Sequence, residues 1–167
     1  MINNLVEIFT KDEFDNESEK FSNFLKNALS KNTEIKFSKI YRISVNKNIN
    51  YFKRIADEIL IDPIVEVYRL NNKFYGAKQL DLLSRYDFSV DVWFKDGITD
   101  VVGESVKNII TDCGFPSPDK VSFARRFYFS NIDKKQAEEF INENFANKLI
   151  NDIMVTDLNR LGFTEKL

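Results

Sequence analysis

Apolar and polar positions along the chain switch between two periods, and each switch marks an element. Leu5 to Thr10 reads as a short apolar strand. Phe21, Phe24, Leu25, Ala28 and Leu29 follow at helical spacing. Ile35, Phe37, Tyr41, Ile43 and Val45 then share one face of a long strand, with Lys39 interrupting the set. Phe52, Ile55, Ala56, Ile59 and Leu60 mark a second helix. Asp62-Pro63 ends that helix, because the residue before proline is pushed out of the helical region, and Ile64 to Tyr68 is a closing strand.

The same order then returns. Val90, Val92 and Phe94 alternate with Ser89 and Asp91. Val102, Val106, Ile109, Ile110 and Cys113 predict one helix face, stopped by Gly114. Val121, Phe123, Phe127 and Phe129 share a strand face that Arg125 interrupts. Asp133 and Gln136 have the spacing of a helix cap, Ala137, Phe140, Ile141 and Phe145 form the next apolar face, and Leu149 to Val155 is the last strand. Val6 and Val90 stand 84 positions apart, Ile55 and Phe140 stand 85 apart, and Phe37 and Phe123 stand 86 apart. This near-constant offset predicts a duplicated unit: residues 1–70 and 87–156 as repeats, 71–86 as connector and 157–167 as a tail. Leu80, Leu82 and Leu83 of the connector are expected to pack against one half. The expected fold is α+β, with tandem strand–helix–strand–helix–strand units joined as an intramolecular pseudo-dimer, helices on one face of the sheets.

Composition narrows the function. The chain has 167 residues, sixteen Phe, six Tyr, one Trp, one Cys, no His and a formal net charge of -2. Without a basic excess, neither a nucleic acid nor a membrane is expected as partner. A single Cys and no secretory signal point to the cytoplasm. The absence of His removes the commonest general base and metal ligand. Cys113, at an apolar helix position, is expected to be a buried structural thiol. No catalytic residue, metal ligand or cofactor site is expected.

Two segments stand out. In Asp96-Gly97-Ile98-Thr99-Asp100-Val101-Val102-Gly103, Gly97 permits a tight turn, Thr99 or Asp100 can cap a helix, and Gly103 permits close backbone approach. Two readings of this segment stand: a well-made turn, or a partner or small-molecule site at a helix N-terminus. Arg125 and Arg126 lie in an aromatic strand, Arg125 facing with Phe123 and Phe127, Arg126 with Ala124 and Tyr128. They serve either as rim or edge charges or as interface ion-pair partners. Asp96, Gly97, Thr99, Asp100, Gly103, Arg125 and Arg126 are thus the candidate partner interface.

The second copy resembles the PurS family and the PurS-like N-terminal region of FGAR amidotransferases (phosphoribosylformylglycinamidine synthase). The matching segments are Val90 to Gly103, Ala124-Arg125-Arg126-Phe127-Tyr128-Phe129, and Phe145-Ala146-Asn147-Lys148-Leu149-Ile150. The first copy keeps Leu60-Ile61-Asp62-Pro63-Ile64-Val65 but has Glu13 and Glu19 where the turn glycines fall, and the second has Lys148 where proline is usual. The resemblance implies a non-catalytic bridge between a PurL-type synthetase and a PurQ-type glutaminase, as subunits or as later domains of one chain. That complex makes the amidine from formylglycinamide ribonucleotide, ATP and glutamine in purine synthesis. The rival reading is a tandem ACT-like regulatory module that binds an amino acid at the Asp96–Gly103 turn. Three strands per copy rather than four weigh against it.

Overall fold

The computed structural model describes residues 3–29, 31–75 and 82–158. The fold is α+β. Its elements are β1 (Asn3–Thr10), α1 (Asn16–Leu29), β2 (Glu34–Ser44), α2 (Ile49–Ile55, continued by a π-helical turn to Leu60), β3 (Glu66–Leu70), β4 (Lys73–Tyr75), β5 (Phe88–Phe94), α3 (Val101–Asp112), β6 (Lys120–Ser130), α4 (Lys134–Asn144) and β7 (Asn151–Asp157). The strands order as β4-β3-β1-β2-β6-β5-β7. Among the described residues no helix is long and apolar enough to cross a membrane.

The chain divides into two compact units, and each draws on both sequence halves. The first comprises Met1–Phe14, Ser38–Leu80 and Ile98–Ala124. The second comprises Asp15–Phe37, Asp81–Gly97 and Arg125–Leu167.

In the first unit, β1 pairs antiparallel with β2 (Val6 opposite Tyr41) and with β3 (Val6 opposite Leu70). Asn71 and Asn72 both have positive φ and turn β3 back into β4, as a two-residue hairpin of opposite-handed turn requires. The core holds Val6, Ile8, Ile43, Phe52, Ile55 and Tyr68, and α3 adds Val106 and Ile110. Helix α2 opens at Asn48, whose side chain accepts from the backbone N–H groups of Asn50 and Tyr51.

In the second unit, β5 pairs antiparallel with β7. Its core joins Ile35 and Phe37 of β2, Val90 and Val92 of β5, Phe127 and Phe129 of β6, Phe140 and Ile141 of α4, and Leu25 of α1. Phe21, Phe127 and Phe145 form a ring cluster with centroids 4.8–5.7 Å apart, the range in which tilted aromatic pairs add to plain burial. Leu82 and Leu83 are buried, as expected of the connector, while Leu80 lies outside the described residues.

The long strands therefore serve two cores. Ile35 and Phe37 of β2 enter the second and its Ile43 the first, and Phe127 and Val121 of β6 divide the same way. The first helix of each sequence half contributes to the core of the unit that holds most of the other half's strands. Period-3.6 patterning reports that a face is covered, not by what, so this exchange is invisible in the sequence.

Candidate partner interface

Both αβ connections obey one hydrogen-bond pattern. After α2, Asp62 accepts from the Ile64 N–H through Oδ1 (2.9 Å) and from the Glu66 N–H through its carbonyl (2.7 Å). Glu66 Oε2 accepts from the Asp62 N–H at 2.9 Å. After α4, Asn147 accepts from the Leu149 N–H through Oδ1 (2.9 Å) and from the Asn151 N–H through its carbonyl (2.7 Å). Asn151 Oδ1 accepts from the Asn147 N–H at 2.9 Å. A lysine at the end of the neighbouring strand fastens each loop. Lys11 donates its N–H to the Val65 carbonyl and its Nζ to the Pro63 and Ile64 carbonyls. Lys95 donates its N–H to the Ile150 carbonyl and its Nζ to the Lys148 carbonyl.

Each held loop carries an apolar side chain into solvent: Ile64 is 73% exposed and Leu149 is 82% exposed. Burying such a side chain against a partner is worth about 1.5–3 kcal/mol, and a backbone already fixed loses little entropy on binding. Sequence reasoning read Ile64 and Leu149 as strand residues. The signal it passed over is the Asp or Asn two positions earlier, which captures the backbone and delays each strand by two residues.

The Asp96–Gly103 turn separates into an exposed part and an internal part. Asp96, Gly97 and Thr99 are exposed. Gly97 has φ +84, a left-handed value that favours glycine. Asp100 caps α3: Oδ1 accepts from the Gly103 N–H at 2.8 Å and Oδ2 from the Phe123 N–H at 2.5 Å. Gly103 is buried against β6. A Cβ there would lie under 3.0 Å from the Val121 carbonyl oxygen and 2.9 Å from Asp100 Oδ2. The requirement for glycine at 103 is therefore met by the chain's own strand.

The corresponding corner of α1 solves the same problem differently. Asp15 Oδ1 accepts from the Ser18 N–H (3.0 Å), Oδ2 accepts from the Ser18 hydroxyl (2.6 Å), and that hydroxyl accepts from the Phe37 N–H (2.8 Å). Lys36 Nζ closes on Asp15 at 2.6 Å, both side chains buried. Ser18, not the exposed Glu19, stands in the role of Gly103, its hydroxyl relaying what Asp100 does directly.

Arg125 and Arg126 go to opposite faces of β6, as alternation predicts. The Arg125 guanidinium donates to the Phe145 carbonyl at the end of α4. Burial holds its pKa below the ordinary arginine value, against the opposing pull of Glu17. Arg126 is buried and bidentate to Asp91, Nε to Oδ1 at 2.5 Å and Nη2 to Oδ2 at 2.7 Å. Glu7 makes a second buried pair: Oε2 accepts from Arg69 Nε at 2.5 Å and Oε1 from the Ser38 hydroxyl at 2.6 Å. Glu7 and Asp91, 84 positions apart, are carboxylates inside otherwise apolar strands, a signal the sequence carried unread.

Cys113 departs from expectation. It is exposed, at the C-cap of α3. The buried face of α3 is Gly103, Val106 and Ile110, rotated from the predicted one, so Val102 and Ile109 are exposed as well. Close seating on Gly103 turns the helix that way. Among the described residues no group of His, Cys, Asp and Glu could hold a metal ion.

No family model matches the chain, and no curated protein matches it.

Proposed function

We infer that this chain is a non-catalytic assembly component of PurS type, a cytoplasmic tandem duplication that joins a PurL-type synthetase to a PurQ-type glutaminase. That complex converts formylglycinamide ribonucleotide to the amidine with ATP and glutamine. The observation that carries the reading is the loop and lysine pattern. Its hydrogen bonds recur 84 to 85 positions apart, with matching donors, acceptors and apolar tips. Unrelated loops have no reason to agree in this way, whereas copies of one ancestor do. The PurS-like segments quoted above include both loops and the turn into α3. On this reading Ile64, Leu149 and the exposed Asp96, Gly97 and Thr99 meet partners. Asp100, Gly103, Arg125 and Arg126 hold the surface that presents them.

The test is co-purification of the chain with the PurL-type synthetase and PurQ-type glutaminase of the same organism, at about 10 µM each. A ternary species on gel filtration, weakened by Ile64→Asp with Leu149→Asp at unchanged melting temperature, is expected. Three independent peaks for the wild-type chain would refute the reading.

A further inference from the structure

The second unit has an open cleft between α1 and α4, of about 320 Å³, lined by Phe24, Ala28, Leu29, Glu139, Phe140 and Glu143, among others. Phe24 and Phe140 meet on its apolar floor with centroids 5.5 Å apart, and Phe24 remains 49% exposed. Glu139 and Glu143, one turn apart on α4, are both exposed.

The first unit shows what such a cleft accepts. At an offset of 85, Gln136, Glu139, Phe140 and Glu143 correspond to Tyr51, Arg54, Ile55 and Glu58. There the chain fills the space itself. Phe115, just after α3, packs on the core, its ring 6.3 Å from Tyr51, with the Arg54 guanidinium 4.7 Å from its centroid. The Tyr51 hydroxyl donates to the Pro116 carbonyl at 2.7 Å, and Glu58 pairs with Arg54 at 2.7 Å. In the second unit the matching positions, Ser30, Lys31, Asn32 and Thr33, include no aromatic residue. Position 30 is Ser where 115 is Phe, and Lys31 donates to Gln136 at 3.1 Å. On α4 itself the cation has no counterpart, since Glu139 replaces Arg54.

We propose that the α1/α4 cleft is a docking site for an aromatic side chain flanked by arginine or lysine, presented by a partner protein. The ring takes the place that Phe115 occupies in the first unit, over Phe24 and Phe140. The flanking cation supplies the charge that Glu139 and Glu143 lack, as Arg54 does for Glu58. Two like charges at this spacing repel in the free chain, and a bound cation relieves that. The chemistry of the occupant follows from this contrast; only the naming of the partner rests on the assembly reading.

The probe is the peptide acetyl-arginyl-glycyl-phenylalanyl-prolinamide, which copies Gly114-Phe115-Pro116 behind an arginine. It is titrated into the isotope-labelled full chain and followed by amide shifts. One ring and one ion pair predict saturable shifts confined to the facing residues of α1 and α4, with a Kd on the order of 1 mM. Glu139→Lys with Glu143→Lys, both on the surface, should weaken binding about tenfold at low salt, and an alanine in place of the peptide's phenylalanine should abolish it. No localised shifts at about 10 mM peptide, or binding indifferent to both changes, overturns the proposal. So does binding that appears only after Phe163→Ala, which assigns the cleft to the chain's own C-terminal residues. Self-association abolished by Ala28→Trp assigns it to a second copy and overturns the proposal as well. Peptide binding without co-purified synthetase or glutaminase leaves the cleft assigned and removes the assembly reading. A ternary complex without peptide binding does the reverse.

Discussion

Gly103→Ala tests the most exacting contact in the first unit. The added Cβ would sit under 3.0 Å from the Val121 carbonyl oxygen, which is backbone inside a strand and cannot rotate away. Relief requires α3 to lift from β6, which stretches the bond from the Phe123 N–H to Asp100 Oδ2. Overpacking of this kind costs about 1–3 kcal/mol, and a weakened cap about 1 kcal/mol more. Against this, alanine gains about 1 kcal/mol of helix propensity. The net expectation is a loss of about 1–3 kcal/mol, or roughly 2–12 °C in melting temperature at about 2–4 °C per kcal/mol for a chain of this size. Urea unfolding followed by circular dichroism reads the loss directly, and amide exchange should rise first at Phe123. Gly97→Ala is the comparison: space is open around it, so only its φ of +84 opposes the change, at about 1–2 kcal/mol, with Phe123 protected as before. Equal or greater stability for Gly103→Ala would mean that α3 is not seated on Val121, and the account of the turn would fail.

Three further outcomes are expected. Arg126→Ala strands the fully buried Asp91 and should cost about 3–5 kcal/mol, far more than Arg54→Ala, whose pair with Glu58 is exposed; denaturant titrations of both compare them. Burial raises the pKa of Tyr68 above its usual 10.0, with Asp57 adding to the effect, and burial likewise raises Tyr41 and Tyr51. The folded state thus holds these protons more tightly, so the stability they contribute is complete below pH 10 and is lost as pH rises further. Melting temperature should fall on that side, less steeply in Tyr68→Phe, and an unchanged slope counts against the assignment. Cys113, exposed, should react with a thiol reagent in native buffer nearly as fast as in denaturant, and strong protection would contradict its placement.

Most elements were legible because both periods are strong. The amphipathic faces of α2 and α4 and the alternation of β2 and β6 appear in the residue pattern itself, whereas α1 buries Ser18, Ser22 and Leu25 and leaves Phe24 and Ala28 of its predicted face exposed. Strand β4 was not, because three residues carry too little pattern and Asn71-Asn72 read as a linker instead of a turn. The face of α3 was misplaced because Val102 and Ile109 are apolar yet point outward, and only the seat of Gly103 fixes the rotation. At the candidate interface, the cap at Asp100 and the opposed directions of Arg125 and Arg126 followed from local rules. The partner of each group did not, since Val121, Asp91 and Phe145 are brought near only by the fold.

The exchange of α1 and α3 between the two cores bears on how this protein is made. A ribosome delivers α1 long before Phe127, Phe140 and Ile141, with which Leu25 shares a core. Likewise β1 and β3 await Val106, Ile110 and Val121. At roughly 5–20 residues per second, the interval is on the order of ten seconds, during which apolar strands have no finished core to enter. Neither core can close on the nascent chain until most of it has emerged. Molecular chaperones that hold apolar segments should therefore engage this protein during translation, and the dominance of distant contacts should make its spontaneous refolding slow.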